Sequence, residues 1–153
     1  KGDWVMVKNV DSTKPAAHAG IRRSDTLVSV DGDSLRYLNL EVVRTYLLVP
    51  RFSNFSLEFS RISVLDKGLG GRRIRVKELG LELKLRYQGL VIQSVKQGSA
   101  AVDAGLKSED LLTHVNDIPT RYMPLGDVVR LIEDPKQKKT ILIVRRAALL
   151  ARG

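Results

Sequence analysis

Short stretches of the chain in which apolar and polar residues alternate are interleaved with two longer ones in which apolar residues recur at helical spacing. Alternation marks a strand with one buried face. It runs through Val5 and Val7, Thr26 to Val30, Phe55 to Phe59, Leu81 to Arg86, Leu90 and Ile92, Leu111 to Val115, and Thr140 to Val144. Helical spacing is clearest in Leu125, Val128, Val129, Leu131 and Ile132, which predicts an amphipathic helix from Leu125 to Glu133. A comparable helix is expected from Leu40 to Leu48. Asp31-Gly32 and Asn116-Asp117 supply tight turns, and two small-residue helices end at Gly20 and Gly105, where a left-handed cap is expected.

The same order of elements occurs twice. At an offset of 85 residues, Val10, Ala16, Ala19, Gly20, Asp25, Leu27, Val30 and Tyr37 coincide with Val95, Ala101, Ala104, Gly105, Asp110, Leu112, Val115 and Tyr122. With Arg36 on Arg121 these make nine identities over 34 ungapped positions, which indicate two copies of one unit. The expected class is α+β: two small, partly open β-barrel or sandwich units, mostly antiparallel, each with two helices. The boundaries read as 1–66 for the first unit and 70–147 for the second.

Composition removes most chemistries. With 26 Lys and Arg against 17 Asp and Glu the net charge is +9, yet 43% of residues are hydrophobic, so the chain can bury a core and is not a disordered polycation. No cysteine is present, which excludes disulfides, thiolate zinc sites and cysteine nucleophiles. His18 and His114 lack metal-ligand spacing and read as structural. Asp25 and Asp110, equivalent residues ahead of strands, read as turn-forming rather than catalytic. Lys67 to Gly71 is rich in glycine but has no Gly-Lys-Ser/Thr ending, so it reads as a flexible linker and not a phosphate loop. One Trp, four Tyr and three Phe give no stacking platform for bases, and no nucleic-acid partner is expected. No enzyme activity, cofactor or metal is expected either. The apolar runs Ile141 to Val144 and Ala147 to Ala151 fall short of the roughly 20 residues that span a bilayer. The opening Lys1-Gly2-Asp3-Trp4 has no signal-peptide core and no initiator Met, so the chain reads as part of a longer protein, cytoplasmic or peripheral at a membrane.

The run Ala100-Ala101, Ala104-Gly105-Leu106, Asp110 and Leu112, set between strands and followed by a turn, a helix and a strand, resembles the PDZ domain, and the chain resembles a PDZ tandem. That family has a carboxylate-binding loop of the form x-Φ-Gly-Φ, which Glu78-Leu79-Gly80-Leu81 matches with a departure at Glu78, where a small residue is usual. Independently of the family, consecutive backbone N–H groups in a glycine turn make an anion site, and the strand that follows can accept a peptide along its edge. The resemblance implies a module that binds C-terminal tails of partner proteins. Leu79, Gly80 and Leu81 would hold the terminus, Leu83 would extend the edge, and Leu125, Val129 and Ile132 would line the facing helix. Leu125, where many relatives carry His, implies a Φ-x-Φ preference. In the first copy Val43 and Tyr46 hold the comparable helix positions.

Only Lys1 to Asp3 precede the first aliphatic strand, so the first copy lacks its opening strands. Either they lie upstream, or later strands complete the copy, as in the permuted PDZ domains of proteases. Arg72 to Val76 would close the first copy or, as favoured here, open the second. Basic residues form a candidate anion patch of Arg72, Arg73, Arg75, Lys77 and Arg145, with Lys136, Lys138, Lys139 and Arg146 nearby in sequence; anionic lipid or an acidic segment is its candidate partner. A scaffold or adaptor fragment is the leading reading. Its rival is the regulatory tandem of an HtrA-type or intramembrane protease, and self-association is a third candidate.

Overall fold

A computed structural model describes residues 4–36, 38–48, 54–68 and 72–151. In chain order its elements are β1 (Val5–Met6), α1 (Pro15–His18), β2 (Thr26–Val30), β3 (Asp33–Ser34), α2 (Leu40–Leu48), β4 (Asn54–Asp66), β5 (Leu81–Arg86), β6 (Gly89–Val95), α3 (Ala100–Asp103), β7 (Leu111–Val115), β8 (Ile118–Pro119), α4 (Leu125–Glu133) and β9 (Lys139–Ala151). The run from α1 to β4 recurs residue for residue, 85 positions later, as α3 and β7 to β9. The correspondence extends to local backbone: Gly20 and Gly105 both have positive φ, and so do Asp31 and Asn116 at the tight turns. The register shift between Leu27 and Ser29 in β2 is matched by one between Leu112 and His114 in β7.

Two compact units result, residues 1–61 with 146–153, and residues 62–145. The division therefore falls within the two longest strands, not at the 66–70 boundary and position 147 expected from the sequence. β4 was expected to stop at Phe59, because its next inward positions are Arg61 and Ser63, polar residues that look like the end of a buried face. Both are buried, and alternation runs unbroken to Leu65 and Lys67. Likewise Arg145-Arg146 looked like the end of β9, which continues to Ala151. The expected partly open barrel or sandwich is corrected as well: among the described residues the sheet is not closed into a barrel.

In the first unit β1, β2 and β4 pair antiparallel, with β3 folded back on β2. Leu27, Val30, Leu35, Val43, Phe55, Leu57 and Phe59 form the core, and Leu150 from the far end of the chain joins it. Later residues do complete this unit, but they are those of β9 and not Arg72 to Val76. Arg61 is 6% exposed and its charge is matched by Asp25, 2% exposed. Its Nε donates to Asp25 Oδ1 at 2.9 Å and its Nη2 to Oδ2 at 2.6 Å, while Nη2 also donates to the Gly20 carbonyl. Asp25 in addition accepts from the Arg22 N–H, the turn role expected of it.

In the second unit β9, β7, β6 and β5 follow one another, with antiparallel partners throughout. Its core gathers Leu79, Leu81, Ile92, Leu112, Val115, Val128, Ile132, Leu142 and Val144, and Leu65 of β4 belongs to it. Lys67 is no linker residue. Its ammonium is buried and donates to the carbonyls of Ile132 at 2.8 Å and Asp134 at 2.7 Å, anchoring the end of α4. Desolvation pulls this group below the ordinary lysine range, against the opposing charges of Asp134 and Glu133. Leu69, Gly70 and Gly71 lie outside the described residues, as do Tyr37 and the side chain of Tyr46.

Candidate functional site

Arg72 to Val76 belongs to the second unit but is not a strand. Glu133, the last residue of α4, is 7% exposed and dictates the path of this segment. Its carboxylate accepts from the Val76 N–H at 2.8 Å and from the Arg73 guanidinium at 3.0 and 3.2 Å. A buried carboxylate stays charged only when such donors replace water, so these bonds hold the segment to the end of α4. Ile74 and Val76 pack on the core at that point.

A single helical turn follows. Leu79 N–H donates to the Arg75 carbonyl, Gly80 N–H to that of Lys77, and Leu81 N–H to that of Val76. The last two bonds are the 5→2 and 6→1 pair of a Schellman motif, with Gly80 at φ +87° in the left-handed position. Gly80 is required twice over, since a Cβ there would also collide with the Ser99 side chain. The open nest of amides expected at Leu79-Gly80-Leu81 is thus not formed here: each of the three N–H groups is donated inside the turn. Glu78 caps the turn from solvent, accepting from Arg75 N–H and Arg72 Nη2. Those two bonds, in that order, hold its carboxyl below the ordinary range. A carboxylate stabilised in this way supports the turn above its unfolded-state titration range and loses that support as the pH falls through its folded pKa. A carbon-detected NMR titration should therefore give Glu78 a midpoint below the ordinary glutamate range. A midpoint within or above that range would refute the pairing.

From this turn β5 runs along the edge of the sheet, hydrogen-bonded to β6 on one side and, among the described residues, to no strand on the other. A groove of about 520 Å³ lies between β5 and α4. Gly80, Leu81 and Leu83 form its β5 wall and Leu125 and Val129 its helical wall, while Lys77 and Lys96 border the turn end. Two expected residues are elsewhere. Ile132 is fully buried in the core, one turn beyond Val129, and Leu79 is likewise a core residue. Of the candidate basic patch, Arg72 and Arg75 meet at Glu78 while the rest are spread out. Arg72 is paired with Glu78 and Arg73 with Glu133, Lys77 borders the groove, and Arg145 lines a different cavity.

Sequence reasoning missed Lys96 and Glu133. Lys96 sits in an unremarkable polar stretch, and only its N–H bond to the Gly80 carbonyl reveals its place. Glu133 left a signal: the equivalent residue of the first copy is Leu48, so a charge has replaced an apolar residue at the end of the same helix face.

Fold and groove define an α+β unit with an open antiparallel sheet, few helices and an edge strand facing a helix. Residues 91–146 match the family model of the PDZ domain. Among solved structures, the PDZ domain of SHANK1 from a choanoflagellate, bound to a GIRK3 peptide, is similar at 21% identity. Its TM-score is 0.48, over 58% of this chain and 93% of that one. Among the described residues no helix is long and apolar enough to cross a membrane, and no cluster of His, Asp and Glu could hold a metal ion.

Proposed function

We propose that the second unit is a protein-interaction module that takes an extended peptide along β5, with the peptide's alternate side chains directed into the groove against Leu125 and Val129. The observation that carries this reading is the unpaired outer edge of β5 facing a largely apolar groove. Main-chain bonds to such an edge give affinity regardless of sequence, and pockets on the groove floor select alternate residues. The helical wall carries no hydrogen-bonding side chain at Leu125, which favours an apolar residue two positions before the terminus. The terminal carboxylate meets the ammonium groups of Lys77 and Lys96, since the turn uses its own amides. Capture is accordingly weakened by salt. The first unit repeats α3 and β7 to β9 and is assigned no peptide site of its own, and the pair serves a larger scaffold or adaptor without a catalytic step.

A panel of fluorescent C-terminal peptides tests the reading. Free-acid Φ-x-Φ peptides should bind about tenfold more tightly than their amides or than Ser/Thr-x-Φ peptides, roughly 1.4 kcal/mol. Leu125→His should reverse the second preference, and Lys77→Gln with Lys96→Gln should erase the first together with the salt dependence. Equal binding of acid and amide by the unaltered chain would overturn carboxylate capture, and failure of every peptide to shift β5 and α4 resonances would overturn the site.

A further inference from the structure

The second unit has another cavity, of about 290 Å³, which shares no lining residue with the groove. Arg145 of β9, His114 and Thr113 of β7, and Arg121 after β8 line it, with Leu111 and Pro119 as apolar walls. No carboxylate lines it. The Nε of Arg145 is buried and has no hydrogen-bond partner among the described residues. Arg145 as a whole is half-buried, and this one N–H contrasts with the buried charges Arg61, Glu133 and Lys67 among the described residues. Arg61 has Asp25, Glu133 has Arg73 and the Val76 N–H, and Lys67 has two carbonyls. A desolvated guanidinium N–H without an acceptor is costly, and a bound anion is the usual remedy.

His114 indicates which anion. The Thr113 hydroxyl donates to the Ile143 carbonyl at 3.0 Å, so its oxygen is the acceptor for His114 Nδ1, also 3.0 Å away. With the proton on Nδ1, the neutral ring has a lone pair on Nε2 as its remaining polar group. A cavity that pairs guanidinium donors with a ring acceptor suits an oxyanion that carries a proton of its own. Inorganic phosphate meets this at neutral pH, and its monoesters, with a second pKa of about 6, do so only in their minor monoanionic fraction; sulfate and carboxylates do not. The first copy lacks the same set, having Ser29 and Ser60 where the second has His114 and Arg145. We infer that this cavity is a phosphate site, in which Arg145 and Arg121 hold the charged oxygens and His114 Nε2 accepts the P–OH proton in a hydrogen bond.

The test uses the full chain at fixed neutral pH and ionic strength. Inorganic phosphate, followed by NMR of the arginine Nε–H and histidine ring signals, should give a saturable shift at Arg145 and His114, with sulfate at least about tenfold weaker. Arg145→Gln should weaken phosphate at least about tenfold and Arg145→Lys, which keeps the charge without the fork, by less. His114→Gln should abolish the preference for phosphate over sulfate. Unchanged melting and unchanged groove resonances in these variants keep a folding defect apart from loss of the site. Glycerol phosphate and phosphatidylcholine vesicles with and without phosphatidic acid then identify the source: phosphatidic acid-dependent vesicle binding displaced by inorganic phosphate indicates a headgroup, and response to the soluble ester alone indicates a free metabolite. No saturable shift at Arg145, equal response to sulfate, or an unaltered response in Arg145→Gln would overturn the inference.

Discussion

Replacing Asp25 by alanine is expected to destabilise the first unit by about 3–5 kcal/mol, the loss seen when one partner of a buried ion pair is removed and the other charge is left behind. Arg61 would keep its burial and its bond to the Gly20 carbonyl but lose both carboxylate contacts. The single Trp of the chain, Trp4, lies in this unit and gives a local optical signal for urea unfolding. Combining Asp25→Leu with Arg61→Met should recover most of the stability, because a buried ion pair and a well-packed apolar pair of similar volume differ little. A loss below about 1 kcal/mol in Asp25→Ala would mean that the pair behaves as an exposed one.

Gly80→Ala should have a comparable effect on the second unit, roughly 2–5 kcal/mol, since it places an L side chain in left-handed backbone and drives its Cβ into Ser99. Ser99 caps α3, its side chain accepting from the Val102 N–H. A cap changed to glycine loses only a few tenths of a kcal/mol. Adding Ser99→Gly to Gly80→Ala should therefore restore the portion due to collision and leave the portion due to backbone conformation. Additive losses in the double variant would show that the two side chains never meet. Peptide binding reports on the same event, because the turn that Gly80 closes sets the entry of β5.

Periodicity made the elements legible, and the 85-residue offset made their recurrence legible. Gly20, Gly105, Asp31-Gly32 and Asn116-Asp117 could be placed because their backbone requirements are local. Strand ends could not, because the inward residues that extend β4 are Arg61 and Ser63, and whether Arg61 can be buried depends on Asp25, thirty-six residues away. Ile132 and Leu79 were assigned to the groove by the family resemblance, which matches positions in a motif but does not say which of them the core of this unit takes. The wrapped turn at Val76 to Gly80 was equally hidden, since Gly80 suits an open amide nest and a Schellman cap alike, and only the carbonyl partners distinguish them.

The shared ownership of the two long strands has a bearing on how the chain is made. Residues 62–145 are contiguous and can acquire all their partners as soon as Arg145 leaves the ribosome. The first unit, begun earlier, must wait for Arg146 to Ala151 before Leu150 can seal its core. Synthesis order and completion order are therefore opposite: the unit begun first is the one completed later.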